Sequence, residues 1–253
     1  MAKQINPLVR LKGTISGISF YKSQEDGYLA REKTGIDPER MKTDPAFRLT
    51  RLNAAEFGAA GKAGKVFRTA FLEEISIASD KRLVSRVTRL MMKVLQTDTT
   101  HSFGQRTVDS GNHSLLDGLQ FNGNVSFNTI IKPELTAAFD RETGQVAISW
   151  PSFIPEKSIV APSGTTHFRI FVVAAAIDFV NGNSSVSRQS TTGLPLDKNP
   201  GEAISLQTAL TPNNTLPVFL VAGIEFLKII NNEVFTQSKA QNAMQLVKVS
   251  LPG

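Results

Sequence analysis

Apolar residues in the first part of the chain follow two different periods. From Leu11 to Lys33 they alternate with polar residues on both sides of the turn sequence SQEDG, which predicts a β-hairpin. After Asp44-Pro45, a favourable helix start, they recur every three, four or seven residues as far as Ile75, which predicts a long helix. A second helix is predicted from Asp80 to Thr97 and a short one over residues 114–121.

From about Pro133 the pattern changes to short apolar stretches separated by turn sequences such as DRETG, VNGN and TPNN. Eight stretches fit strands: ELTAAF, QVAISW, THFRIFVVA, SVSRQ, AISLQTAL, PVFLVAGIEFLKII, EVFTQ and AMQLVKVS. Seven or eight strands within about 120 residues are typical of an antiparallel sandwich of the immunoglobulin or fibronectin type III kind. Trp150 shares a strand face with Val146 and Ile148, so we expect its indole in the core.

The net charge of +6 lies entirely in the first part of the chain. Residues 1–131 carry 19 Lys and Arg against 13 Asp and Glu, whereas residues 132–253 carry nine of each. The predicted fold class is therefore α+β with two domains. Residues 1–131 form a basic α+β domain with a hairpin and two main helices, and residues 132–253 form the β-sandwich. Any anionic partner is expected on the first domain.

The composition is that of a globular protein, with 41% hydrophobic and 20% charged residues. The absence of cysteine excludes disulfides and thiolate metal sites. The beginning, MAKQINPLVRLKG, lacks the run of about 7–15 apolar residues of a secretory leader, so we expect no such signal, and no stretch reaches the roughly 18 apolar residues of a membrane helix. We expect no membrane span and a cytoplasmic location, with export by a non-classical route left open.

The sequence GAAGKAGK, residues 58–65, is close to a phosphate-binding loop but lacks its essential parts. Ala59 stands in place of the first glycine, Val66 replaces the magnesium-binding hydroxyl, and the segment lies within a predicted helix. A seam of small residues for close packing is the better interpretation. The candidate packing and assembly seam comprises Gly58, Gly61, Gly64, Phe226 and Ile230.

The two apolar members of this seam belong to the strand over residues 218–230, which is apolar on both faces. A sandwich buries one face of each sheet, so the second face needs another cover. The N-terminal domain and a second subunit are the two alternatives. The hairpin needs a cover too, because an isolated two-stranded hairpin is marginal in water.

No pattern for catalysis, a cofactor or a metal stands out. His113 and Asp117 are spaced to share a helix face, but no third ligand is near them in sequence. No GxSxG motif occurs, and no pair of carboxylates is singled out. We therefore predict no catalytic residue, no cofactor and no metal site.

A row of cations on the second predicted helix is the best candidate for binding a partner. Its spacings of four, three and four place them on one face: Arg82, Arg86, Arg89 and Lys93. Such a face can neutralise phosphates or meet an acidic protein, and it can also be the solvated side of an amphipathic helix.

Four segments resemble a family of uncharacterised Bacteroidota proteins: LKGTISGISFYKSQEDGYLAREK, DPAFRLTRLNAAEFGAAGKAGK, DKRLVSRVTRLMMKV and APSGTTHFRI with the later AIDF. The resemblance runs in the same order through nearly the whole chain. It implies a bacterial source and brings no activity, cofactor or catalytic residue.

The expected function is therefore that of a non-enzymatic structural protein, a self-assembling subunit of a larger bacterial assembly whose main partner is itself. The alternative is a nucleic-acid or polyanion binder that uses the basic first domain.

Overall fold

The computed structural model describes residues 2–3, 11–24, 26–33, 35–231 and 233–252. It contains both helices and antiparallel sheets, so the protein is α+β as predicted. Its contacts divide the chain into two units, Met1–Arg51 and Leu52–Gly253. This division does not coincide with the predicted boundary at 131/132, because the helices that follow residue 52 share a hydrophobic core with the large sheet of the second half.

The first unit is a small antiparallel sheet followed by short helical turns. Its elements are β1 (Ala2–Lys3), β2 (Gly13–Ile15), β3 (Ile18–Ser23), β4 (Gly27–Glu32), α1 (Pro38–Thr43) and a 3₁₀ turn (Pro45–Phe47). The strand order is β1-β4-β3-β2. The predicted hairpin is present as β3 and β4. The stretch before it folds back as β2, because Ser16 and Gly17 have φ angles of 46° and 80°, the left-handed pair of a type I′ turn.

Helix α2 (Arg48–Ala70) begins three residues after the predicted start at Asp44-Pro45, where the chain first forms the 3₁₀ turn. Asp44 accepts a hydrogen bond from the Ala46 amide at 2.9 Å and so caps the 3₁₀ turn that leads into it. The predicted long helix ends earlier than Ile75. Phe71, with φ −110° and ψ 25°, interrupts the helix and starts α3 (Leu72–Ile77).

The second unit continues with the elements α4 (Leu83–Gln96), a 3₁₀ turn (His113–Leu116), α5 (Phe127–Ile130), β5 (Thr136–Phe139), β6 (Gln145–Trp150), α6 (Pro155–Ser158), β7 (His167–Asp178), β8 (Asn183–Ser190), β9 (Leu194–Pro195), β10 (Ile204–Ala209), β11 (Val218–Ile230), β12 (Glu233–Thr236) and β13 (Ala243–Ser250). The large sheet has the order β12-β11-β7-β8, with β13 also on β11 and β9 also on β7. A smaller sheet has the order β10-β6-β5.

The large sheet is covered on both faces by the same unit. Alternate residues of β7 and β11 belong to two separate cores. One core packs against α2 and α4 around Phe67 and Phe219, and the other packs against the smaller sheet around Trp150 and Phe226. Trp150 is 1% exposed, which confirms the prediction of a core indole. The second face of β11 is therefore covered by helices α2 and α4, which belong to the same chain.

Candidate functional site

The predicted basic row divides into one structural arginine and three exposed cations. Arg86 forms an ion pair with Asp80 at 2.8 Å and donates from Nη2 to the carbonyls of Gln120 and Phe121. It therefore ties the first turn of α4 to the segment before α5. Burial raises the pKa of Asp80. Hydrogen bonds from the amides of Gly123 and Arg82 and from the Arg86 side chain lower this pKa by a larger amount, so it lies below its usual value.

The other three members of the row are exposed: Arg82, Arg89 and Lys93. In the part of the chain that the structure describes, no carboxylate lies within ion-pair distance of them. A partner with negative charges would therefore meet three cations here and not four.

The three glycines of α2 differ in how closely they pack against other residues. A Cβ built on Gly64 would lie 3.3 Å from Val87 Cγ1 of α4, so this glycine permits close contact between the two helices. A Cβ on Gly58 or Gly61 would meet nothing within 4 Å. Only Gly64 therefore belongs to a close-packed seam. Lys65, exposed on α2, lies on a helix and not in a loop that could hold phosphates.

Phe226 and Ile230, the two apolar members of the candidate packing and assembly seam, differ in their exposure. Phe226 is fully buried between the two sheets and cannot meet a second subunit. Ile230, at the end of β11, is 45% exposed. Next to it, β12 exposes all four of its residues, with Val234 at 56% and Phe235 at 49%. Exposed apolar side chains thus gather at this edge of the large sheet.

His113 and Asp117, whose spacing would let them share a helix face, lie in different environments. His113 is 3% exposed and stacks on Phe179 with ring centroids 5.1 Å apart, whereas Asp117 is exposed. Burial lowers the pKa of His113 to about 4. Among the described residues, no group of three or more His, Cys, Asp and Glu side chains is arranged to hold a metal ion.

A cavity lined by charged residues was missed at the level of the sequence. It measures about 300 Å³ and lies beside α3 and the middle strands of the large sheet. Arg188 Nε contacts Glu74 Oε1 at 2.7 Å, and Arg169 Nη2 contacts Glu225 Oε2 at 2.8 Å. The available signal was Glu225 itself, a single carboxylate inside the apolar run VFLVAGIEFLKII.

Within the described residues, no helix combines the length and the apolar character needed to cross a bilayer.

The comparisons with known proteins place few constraints on these sites. No protein-family model matches the chain, and no curated protein matches it. A solved structure from work on pH-induced modulation of Streptococcus parasanguinis adhesion by Fap1 fimbriae is weakly similar, with a TM-score of 0.22 and 11% identity. The match covers 44% of this chain and 78% of that chain. A likeness at this TM-score bears on neither the fold nor the function of this protein.

Proposed function

We propose that the protein is a non-enzymatic structural protein that associates with further copies of itself through the outer edge of its large sheet. We further infer that the two sheets are an immunoglobulin-like sandwich with helices added on its outer face. The support for the sandwich is the core around Trp150, which receives side chains from both sheets. The resemblance to the Bacteroidota family brings no activity, so the geometry carries the proposal.

The observation that carries the proposal is the exposed strand β12. It pairs with β11 on one side, and among the described residues no strand pairs with its other side. An edge with exposed apolar side chains is a template for pairing with another chain, and proteins usually protect such edges with charge or proline. β12 carries one charge at its start, Glu233, but its two middle residues, Val234 and Phe235, are exposed apolar side chains on opposite faces of the strand.

The register fixes which backbone groups of β12 face outward. The Gln237 amide donates to the Phe226 carbonyl at 3.0 Å, and antiparallel pairs alternate between bonded and non-bonded positions. Phe235 therefore bonds to β11, whereas the N–H and C=O groups of Val234 and Thr236 face outward. An antiparallel two-fold pairing centred on Phe235 would bond Val234 to Thr236 of the partner subunit. It would also bring Phe235 against Phe235 of the partner subunit on the axis.

A cysteine scan tests this pairing directly, because the chain has no cysteine of its own. Cα atoms of residues facing each other at a non-hydrogen-bonded position are about 4.5 Å apart, within the range of a disulfide. We expect F235C to form a covalent dimer under mild oxidation and the exposed control L72C to remain monomeric. V234P removes an outward N–H without removing a bond to β11, so it should lower the dimer fraction in light scattering of the unoxidised protein.

Two results would contradict the proposal. The first is a wild-type protein that remains monomeric in light scattering over the micromolar range. The second is a yield of covalent dimer from F235C no higher than that from L72C.

The exposed cations of α4 favour a second candidate function, the binding of a nucleic acid or another polyanion. Phosphate contacts release counterions, so such binding would weaken steeply with salt. The charge reversals R82E and R89E test it without disturbing the ion pair of Arg86. Binding of a DNA or RNA duplex that both reversals weaken, and that falls with added salt, would support this candidate. Equal binding by the wild type and by a variant that carries both reversals would exclude this candidate function.

A further inference from the structure

The outer edge of β10 borders an apolar cavity that is separate from the edge of β12. The cavity measures about 370 Å³ and lies beside β9 and the start of β10. Its walls are mainly apolar and include Phe168, Leu194, Ile204 and Leu206. Ser205 also lines it, on the opposite face of the strand from its two neighbours. The cavity therefore follows the edge of β10, and its volume is within the usual range for ligand sites.

The register shows that backbone groups on this edge are unpaired. Among the described residues, β10 pairs only with β6. The Leu210 amide donates to the Gly144 carbonyl at 2.9 Å, and these two residues continue the register of the pair. Even-numbered residues of β10 therefore bond to β6, and the N–H and C=O groups of Ser205 and Gln207 point away from it. No described residue bonds to these outward groups.

Only the Ser205 end of this edge is open. At the other end, the hydroxyls of Thr208 and of Ser187 in β8 are hydrogen-bonded to each other across the gap between the two sheets. Toward Ser205 the cavity takes the place of such a contact, and Thr191 and β9 form its far wall. Ser205 is exposed. A chain that entered this gap would reach the free backbone groups of Ser205 and the apolar walls at the same time.

The cavity carries negative charge. The described residues that line it include two carboxylates, Asp197 and Glu202, and no lysine, arginine or histidine. The Asp197 carboxylate accepts hydrogen bonds from the Asn199 amide at 3.1 Å and from the Asn199 side chain at 2.9 Å, which fix its orientation. Neither carboxylate forms an ion pair with a described residue. A cationic group on a ligand would therefore meet two charges that no cation of the cavity neutralises.

We propose that this cavity binds a short extended segment of another protein, with apolar side chains at alternate positions and a lysine or arginine beside them. The segment adds to β10 as an antiparallel strand, in which the Ser205 N–H donates to a carbonyl of the segment and the Ser205 C=O accepts from an amide of the segment. The residues on either side of the one that faces Ser205 lie on the face of Ile204 and Leu206, so their side chains meet the apolar walls. The basic residue lies near Asp197 and Glu202.

A library of random heptapeptides displayed on phage and selected on the full chain tests the sequence preference. We expect the enriched peptides to carry two apolar residues separated by one residue, with a lysine or arginine next to this pattern. The peptide recovered most often is then synthesised with a fluorescent label, and its affinity is measured by fluorescence anisotropy.

Backbone methylation tests whether the peptide binds as a strand. Methylation of the amide between the two apolar residues removes the N–H that donates to the Ser205 carbonyl, so affinity should fall about 10-fold. Methylation of the next amide removes an N–H that points away from β10, so it should weaken binding much less.

Variants of the protein test the two parts of the site separately. S205P removes the outward N–H without removing a bond to β6, and should lower the affinity about 10-fold. V234P makes the same change on the edge of β12 and should bind the peptide like the wild type. The double variant D197N/E202Q leaves the backbone unchanged and should weaken binding about 3- to 10-fold, mostly at low salt. Its control is E156Q, because Glu156 is exposed and does not line the cavity.

Four outcomes would overturn the assignment. They are a selection without an enriched pattern, enriched peptides that are acidic, equal affinities of S205P and V234P for the peptide, and equal effects of methylation at the two neighbouring amides. In each case the cavity is only a gap between the edges of the two sheets.

Discussion

The burial of His113 predicts that acid destabilises the second unit before its carboxylates protonate. The imidazole is 3% exposed, stacks on Phe179 with an interplanar angle of 11°, and meets Phe219 edge to face at 6.0 Å. Its Nε2 has no hydrogen-bond partner among the described residues. Burial among aromatic rings favours the neutral ring, and this lowers the pKa to about 4 in the folded protein.

The direction and size of the effect follow from linkage. An unfolded histidine has a pKa of about 6.5, so between pH 6.5 and 4 the unfolded state binds a proton that the folded state excludes. Stability contributed by the neutral ring is fully present above pH 6.5 and is lost as the pH falls. Each pH unit between the two pKa values is worth about 1.36 kcal/mol, so the loss is about 2 kcal/mol at pH 5 and about 3 kcal/mol below pH 4.

Urea unfolding at several pH values between 7 and 4.5 measures this loss, with the emission of the single tryptophan, Trp150, as the probe. The variant H113F keeps an aromatic ring beside Phe179 but cannot titrate, so the slope of its unfolding free energy between pH 6.5 and 5 should largely disappear. H167N is the control, since His167 is only half-buried. A wild-type free energy that stays constant between pH 7 and 5, or an equal slope in H113F, would refute the reasoning.

Three further predictions concern stability. Glu56, 1% exposed, accepts two hydrogen bonds of 2.7 Å from the partly exposed Arg106 and one from the Gly104 amide, so E56A should cost about 1–3 kcal/mol in urea unfolding by removing the shared acceptor; a loss below about 0.5 kcal/mol would contradict this. The free energy of unfolding should rise by about 0.5–1 kcal/mol in G61A, because the new Cβ meets nothing. It should rise less in G64A, where the new Cβ is tight against α4; equal gains would show that the helices can separate at no cost. Trp150 should emit in the blue and resist quenching, and W150A should cost about 3–5 kcal/mol, whereas red-shifted, easily quenched emission would place the indole outside the core.

Secondary structure in the second half was accessible to sequence reasoning because strand periodicity is strong there. All eight predicted strands occur, and QVAISW and AMQLVKVS match β6 and β13 at both ends. The first hairpin strand was misread for a local reason. Gly17 forms part of a tight turn, and alternation alone cannot distinguish one long strand from two that fold back.

The domain boundary and the sites depended on tertiary contacts. The periodicity of α2 shows that it has an apolar face, but it does not say which surface that face covers. The charge of Arg86 likewise looked available for a partner, whereas the carbonyls that occupy it lie 34 and 35 residues further along the chain. Pairings at such separations leave no local pattern.

The core on the helix side covers only part of the length of the two central strands, and the charged cavity and the exposed edge of β12 lie toward the end that it leaves uncovered. β7 and β11 have 12 and 13 residues, which corresponds to about 40 Å. The core on the helix side runs along β7 from Ile177 to Phe171 and stops there. The next residue on that face is Arg169.

The far ends of the two strands therefore need other means of stabilisation. Arg169 and Glu225 neutralise each other where the helix-side core stops. β12 pairs with the last residues of β11, beyond the residues of β11 that pair with β13. The charged cavity and the exposed edge of β12 both lie toward this end of the two strands, yet they use different atoms. The charged cavity is lined by side chains on the helix face of β7 and β11, whereas association uses the outward backbone groups of β12. E74Q should therefore leave the dimer fraction in light scattering unchanged, whereas V234P should lower it; a loss of dimer in E74Q would show that the charged cavity and the edge are coupled.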